Sequence, residues 1–599
     1  MNTIADTTDI NNLDRILDKI AEFSHISNLD LNHKKSEIMF FNSSQAAINR
    51  AEHHQLKRTD KIKFVGLYTI NKTSDQFLYR TNFDEPNTQA ESLMSSIANK
   101  SHSSIGATLI YNSKIISKYT HLLFNVHLTD AQSEHLDKKG MEFLVKIQNR
   151  YLVKKEKYHM PLKLGGCNLR SFKFANKSLS GFWLKAILNN ENTNFTWRKI
   201  LKYLLNEIRV DIEIIGLIGY KDLKIIADKL QPKSSFWSST FENFSLIVKL
   251  IEHETDDYLS LPAFGGRFSD LTKNDSLSIF SNNKKSNIAL IKAGFHMLSN
   301  YARPSEIHDD LTNCKLYRTI DSILEQTDRQ VTILAYISLT SSMSKLFNVT
   351  LKNDAIYLNL EYYPKLTKNC TQSFFKKFST GCSKLYQMIR QDYIDTNNIP
   401  EAPARRTACR DYGIDLDPKI FEQTLTNTTK IIGISGTSAT IYKFLIRQNW
   451  TRLKLSHQEK NPDLARCLYC PETGQTEHSY TECVVAENIW RILNKILQKA
   501  FNFQIPLQPI NLIFFQNITH SDKGTKRAIT DMHATTLCTL QKIHLAENEL
   551  TDMDIHQTSF RNLIKCCHAN ISIDRHVNHY QRAYYAIVDT YKQNFRYTI

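Results

Sequence analysis

The chain has 599 residues, 41 % of them hydrophobic, which is enough for three or four domains with cores of their own. Basic residues exceed acidic ones by 16, so an acidic partner is expected, nucleic acid being the commonest. No run approaches about 18 uninterrupted apolar residues, and MNTIADTTDINN has neither the basic nor the apolar region of a secretory leader, so neither a membrane span nor a signal peptide is read.

A first helix is predicted from a cap at Asn11 or Asn12, with Leu13, Ile16, Leu17, Ile20 and Phe23 on one face. In NLDLNHKKSEIMFF, a turn with Asn32 and the Lys34-Lys35 pair leads into a short apolar strand. KIKFVGLYTI (61–70) reads as a second strand with Gly66 as a bend. From Glu91 to about Val126 the pattern turns helical, through Leu93, Ile97, Ile105, Leu109, Ile110, Ile115, Ile116 and Tyr119. A further helix is predicted over about 139–156, ended by Pro161 and Gly165-Gly166.

That helix carries a basic stripe. Between 146 and 173 lie eight cations, Lys146, Arg150, Lys154, Lys155, Lys157, Lys163, Arg170 and Lys173, against one acid, Glu156. A solvated helix face is the plain explanation of a charge run; one this lopsided points to phosphate contacts. From 180 to 450 the apolar periods are mostly helical, interrupted at 259–268, at SNNKKSN (281–287) and at NNIPEAPARR (397–406), the best linker candidate. After 483, Val484, Val485, Ile489, Leu493 and Leu497 form an amphipathic helix with Trp490 in its core, and the tail to Ile599 reads as helices.

The most specific motif lies between these regions. RCLYCPETGQTEHSYTEC holds Cys467, Cys470, His478 and Cys483 as C-x2-C-x7-H-x4-C, the four soft or borderline ligands of a closed tetrahedral zinc site. The x2 gap lets one tight turn aim two sulfurs at one ion, and Pro471 and Gly474 stand where the chain must reverse. With all four positions filled by protein, such a site is structural rather than hydrolytic. Buried free cysteines beside a surface histidine are the plain alternative. Three thiolates leave a formal −1, so Arg466 and the upstream Arg447, Arg452, Lys454 and Lys460 are electrostatically welcome. Tyr469 could stack on a base or simply pack over the knuckle. The other eight cysteines are scattered, with no disulfide framework, and a thiolate site needs reducing conditions, so nucleus or cytosol is expected.

Taken in order, these pieces resemble the C-terminal half of reverse transcriptases from non-LTR (LINE-type) retrotransposons. LDRILDKIAEFSHISNLDLNHKKSEIMFF is similar to the helix and turn after the polymerase's catalytic strand, and KIKFVGLYTI to the strand that follows. MPLKLGGCNLRSFKFANKSLSGFW resembles a "P-x-x-x-GG-x-x-L" segment through Gly165, Gly166 and Leu169, and RCLYC…TEHSYTECVVAENIW resembles the zinc-binding domain of these elements. The resemblance implies a mainly α chain with a small α+β remnant of a polymerase palm, a helical thumb and connection, and a Cys3His knuckle with flanking helices. Its segments would be an incomplete palm end (1–75), a thumb-like region (76–180), a helical connection (181–400), a zinc-binding domain (401–500) and a C-terminal helical region (501–599).

The departure from the family is at the chemistry. Polymerases hold two divalent metals about 4 Å apart on paired carboxylates. Ile4-Ala5-Asp6-Thr7-Thr8-Asp9 looks like an echo of the family's aromatic-x-Asp-Asp turn with one aspartate where two are expected, and Asp256-Asp257 and Asp309-Asp310 read as surface acids. The leading expectation is an N-terminally truncated reverse-transcriptase-like protein without its own polymerase site. It would bind RNA or DNA through Lys146, Arg150, Lys154, Lys155, Lys157, Arg466 and Tyr469, with zinc as its metal and a separate palm as a conceivable partner. The alternatives are a zinc-stapled helical scaffold, a non-functional mobile-element relic, and a zinc enzyme whose second site would draw on His533, His544, His568, His576 or His579.

Overall fold

The computed structural model describes residues 11–27, 36–39, 49, 51–54, 56–64, 67–70, 75–100, 102–148, 153–188, 195–254, 261–292, 295–298, 303–304, 313–316, 338–339, 341–342, 350–352, 355–359, 381–399, 403–412, 416–431, 437–446, 448–573 and 576–594. These residues are mainly helical, and they fall into two compact units interleaved along the chain. One comprises 1–92, 118–129 and 176–382, the other 93–117, 130–175 and 383–599. No helix among the described residues is long and apolar enough to cross a membrane.

In the first unit, the helix Asn11–Ser27 buries Leu13 but leaves Phe23 and Ile26 exposed, so its apolar stripe is only partly covered. Glu37–Ile38 pairs in parallel with Lys57–Arg58; Asn32, Lys34 and Lys35 lie outside the described residues. KIKFVGLYTI is not one strand. Lys61–Phe64 pairs antiparallel with Leu67–Ile70, Phe64 opposite Leu67, so the chain reverses where a bend was expected. Asn82, from the helix Asp75–Ala98, pins this hairpin by accepting from Tyr68 N (2.7 Å) and donating to Tyr68 O (3.1 Å).

Farther on, the helices Tyr220–Leu230 and Ser235–Glu254 pack together beside a cluster of aromatic rings from Trp183, Trp197, Phe236 and Trp237. Two buried carboxylates then grip the glycine pair at 265–266. Asp222 accepts from Ser278 Oγ and Ile279 N (3.0 Å), while Glu252 accepts from Tyr220 N (3.3 Å) and Arg267 N. A Cβ on Gly265, whose φ is +65°, would overlap the Asp222 carboxylate, so only glycine fits this left-handed position. The Asn/Lys tract at 281–287 already starts the helix Lys284–Lys292. The stretch from 180 to 450 is also not wholly helical. Asn313–Leu316 pairs antiparallel with Arg303–Pro304 and with Ala355–Asn359, which pairs in turn with Thr350–Lys352. Strands of two to five residues with so few β-branched side chains carry little periodic signal.

In the second unit, one apolar core takes in Leu162 and runs from Leu416 to Ile587, drawing on both the 401–500 and 501–599 segments. Its centre is the helix Lys523–His544, buried on nearly every side. The sequence KGTKRAITDMHATTLCTLQKIH looks too polar for that place. Its threonines resolve the conflict by returning their hydroxyls to the turn before: Thr535 to Asp531 O (2.8 Å), Thr536 to Met532 O (3.0 Å) and Thr539 to Thr535 O (2.9 Å). Asp531 is met by Tyr580 Oη at 2.6 Å and Arg527 Nε at 3.4 Å, and His533 Nε2 bonds Leu512 O at 2.7 Å. Around this helix pack Val484–Phe501, Asp552–Ser572 and Val577–Asn594. Trp490 is fully buried in Val484–Phe501, its indole N–H donating to Tyr480 O at 2.8 Å, but Val484 faces outward rather than into the core.

Candidate metal centre

Thr451 caps the helix Arg452–Glu459 by accepting from Lys454 N, and Lys460 ends it in a left-handed conformation (φ 52°). The chain then folds back on itself. Gly474 N donates to Ala465 O (2.7 Å), Cys467 N to Glu472 O (2.9 Å), and Arg466 bridges Thr473, so Cys467 and Cys470 sit on one tight knuckle. A Cβ on Gly474 would come 2.9 Å from that of Arg452, so the return strand needs glycine at this approach. His478 and Cys483 bracket the single π-helical turn His478–Glu482, closed by Cys483 N donating to His478 O at 2.8 Å. A turn closed by an i to i+5 bond places residues five apart on one side, where the tighter α-helix would separate them. A π-turn of this kind is often found at functional sites.

The four ligand atoms lie within 4.8 Å of one another, and this is the one group of three or more potential ligands found among the described residues. Cys467 Sγ is 3.8 Å from Cys483 Sγ, and Cys470 Sγ is 3.0 Å from His478 Nε2. Sulfurs about 2.3 Å from a tetrahedral ion stand ~3.8 Å apart, so the Cys467–Cys483 pair already has the spacing of a zinc-like sphere. The Cys470–His478 pair would open by about half an ångström to join it. Three soft thiols and an imidazole are a donor set for zinc rather than for magnesium or calcium. The residues therefore fit a closed structural metal site.

Backbone donors are already aimed at the sulfurs: Tyr469 N–H at Cys467, Glu472 N–H at Cys470, and Val485 and Ala486 N–H at Cys483. The last two belong to the N-terminus of the eighteen-residue helix Val484–Phe501, which Cys483 precedes directly, where the helix dipole favours a thiolate. The hydrogen bond from Cys483 holds Cys467 far below the usual thiol range and pushes Cys483 up, while burial raises Cys470. A bound dication would hold all three as thiolates.

The knuckle is anchored from inside. Arg452 Nε donates to Arg466 O (2.7 Å) and its Nη1 to Ala546 O (3.3 Å). Tyr469 Oη donates to Ile543 O (3.3 Å) and accepts from Leu550 N (3.4 Å), with its ring edge-on to His544. Tyr469 thus packs over the knuckle. His544 Nδ1 lies 3.8 Å from Cys467 Sγ, although 77 residues separate them in sequence. Sequence reasoning treated His544 as material for a separate site. Only the docking of Lys523–His544 on the knuckle makes it an outer partner of a ligand sulfur, and no spacing rule could have found it.

The other candidate histidines are not gathered into a second site. His533 is enclosed by Trp490 and Phe515, and burial lowers it to about 4; His568 meets Tyr584 edge-on. His579 Nδ1 lies 3.3 Å from Thr525 Oγ1 and 3.5 Å from Asp522, with its ring centroid 6.2 Å from that of His576. Asp6, Asp9, Asp256-Asp257 and Asp309-Asp310 lie outside the described residues.

The basic stripe is not one helix. The helix is described as Asp130–Gln148, and Lys155–Lys157 forms a separate 3-10 turn. Lys146, Lys154, Lys155 and Arg466 are exposed, and Arg150 lies outside the described residues. Lys157 departs from the expectation. It is buried, its ammonium donates to Leu164 O at 3.2 Å, and desolvation lowers its pKa, so it braces the loop instead of facing a partner. The glycine pair explains that loop: Gly165 takes φ 72°, and a Cβ on Gly166 would strike Met160 O and Lys157 O.

The chain matches no known protein-family model, and no curated protein matches it significantly.

Proposed function

We propose that this chain is a zinc-stabilised nucleic-acid-binding protein related to non-LTR reverse transcriptases, one that holds a nucleic-acid backbone without polymerising on it. In this reading Cys467, Cys470, His478 and Cys483 hold zinc, which fixes the knuckle to the core and takes no part in chemistry. The observation that carries the binding half is the state of Lys146, Lys154, Lys155 and Arg466: all four are exposed, and none makes an ion pair among the described residues. Lys173, at the far end of the run, shows the contrast, spending its charge on Asp130 (3.2 Å) and Glu134 (3.0 Å). Cations left uncompensated on a chain of net charge +16 favour a polyanion. Contacts of this kind position a backbone and do not read sequence.

The test is a salt titration of labelled RNA and DNA duplexes against the wild type and a Lys146/Lys154/Lys155/Arg466→Gln variant. Each lost phosphate contact should reduce the log–log salt slope by about 0.9. Equal slopes and affinities for both proteins would refute the reading. A zinc-stapled scaffold is the second reading. It is favoured by the inward use of Arg452 and Tyr469, both spent on the helix Lys523–His544 and the residues just after it. It predicts no salt-dependent binding by the wild type.

A further inference from the structure

We infer that Arg170 and Arg390, gathered at the ring of Tyr386, form a seat for a backbone phosphate of a bound nucleic-acid strand. The inference rests on the nucleic-acid reading above and adds a defined site to it. Each guanidinium carbon lies 5.6 Å from the Tyr386 ring centroid. The ring is fixed, because Tyr386 is buried and its hydroxyl accepts from Ser171 N at 2.9 Å, one residue past Arg170. Arg390 Nη1 donates to Asn168 Oδ1 at 2.9 Å, which aims the guanidinium and leaves most of its five donors for another partner. Asn168 holds that place in a left-handed conformation (φ 55°).

Neither arginine makes an ion pair among the described residues. Three nearby acids are committed elsewhere: Asp130 and Glu134 to Lys173, and the buried Asp137 to Ser171 Oγ and Phe172 N, each at 2.6 Å. Arg390 is largely desolvated, which lowers its pKa and makes an uncompensated cation costly. Two planar guanidinium forks, one of them poorly hydrated, match the geometry of a phosphate better than lysines would.

The loop geometry favours a strand over a lone small anion. Cys167 N donates to Lys157 O (3.3 Å) and Leu169 N to Tyr158 O (3.0 Å), so the chain doubles back. That return brings Arg170 to the edge of the loop that begins with the exposed Lys154 and Lys155. Several cations on one loop can track successive phosphates.

The experiment uses the full chain, a short fluorescein-labelled uridine oligonucleotide and a salt titration, with Arg170→Gln, Arg390→Gln, Arg390→Lys and Lys154/Lys155→Gln variants. Arg170→Gln and Arg390→Gln should each weaken binding about tenfold and lower the slope by about 0.7, the single-strand value per phosphate. Arg390→Lys should lose nearly as much, since an ammonium keeps the charge but not the fork. Metal content and melting temperature report folding. If Arg390→Gln does not fold, the half-exposed Arg170→Gln decides alone. Wild-type affinity in both glutamine variants, with loss in Lys154/Lys155→Gln, would overturn the seat and leave the proposed function standing. No binding by the wild type would overturn both. If inorganic phosphate raises the melting temperature of the wild type but not of Arg390→Gln while the oligonucleotide does not bind, the seat takes a free phosphate and the strand assignment falls.

Discussion

Replacing Cys470 by serine isolates the contribution of the metal. Cys470 is the only partly exposed thiol of the cluster, whereas Cys483 is wholly buried. Serine at 483 would confound ligand loss with an unsatisfied buried hydroxyl; at 470 solvent can satisfy it. Structural zinc binds small knuckles with an apparent free energy of about 10–16 kcal/mol. Shared equally among four ligands, one thiolate accounts for ~3–4 kcal/mol, or about 10²–10³ in zinc affinity. Zinc affinity measured by competition with a chromophoric chelator should fall by that factor. Amide exchange should quicken in the knuckle from Arg466 to Cys483, whose fold depends on the ion, and much less in Asp552–Ser572, which contributes no ligand. Equal zinc affinity within threefold, or unchanged exchange in a variant without zinc, would refute a structural metal at these four residues.

Three further outcomes follow from the packing. Burial raises Glu252 to about 8 and Asp222 to about 6, so the folded state binds more protons than the unfolded one above about pH 4.5. Their contribution to stability is complete below the unfolded carboxyl range and is lost as pH rises through about 8. The melting temperature of the first unit should therefore fall over that window, and Glu252→Gln should flatten the fall; an unchanged slope would refute it. Trp490→Ala removes a buried indole and its bond to Tyr480 O and should cost about 3–5 kcal/mol in denaturant unfolding, a loss under 1 kcal/mol being incompatible with the packing. Lys157→Gln should lower stability by about 1 kcal/mol through its bond to Leu164 O while leaving the salt slope of nucleic-acid binding unchanged. A reduced slope would return Lys157 to the binding surface.

Features that rest on local chemistry were legible in the residues alone. The spacing of Cys467, Cys470, His478 and Cys483 foretold a cluster within reach of one ion, because a knuckle and one helical turn are short-range structures. The apolar period after Cys483 foretold Val484–Phe501 and its buried Trp490. Gly165-Gly166 does not end the predicted helix but turns the loop after the 3-10 turn Leu162–Leu164, Gly165 at φ 72° and Gly166 too close to Met160 O and Lys157 O for a Cβ. Where the signal was charge alone it misled: Lys157 looks like its neighbours in the run, but Leu164 O and the surrounding loop bury it. Tertiary structure alone decided the rest. The threonine-rich Lys523–His544 becomes the centre of a core because Thr535, Thr536 and Thr539 bond their own helix, which hydropathy does not register. His544 meets Cys467, and Arg170 meets the ring of Tyr386, across spans of chain that carry no periodic signal. Partners that distant are chosen by packing, and packing is a property of the whole fold rather than of any window of sequence.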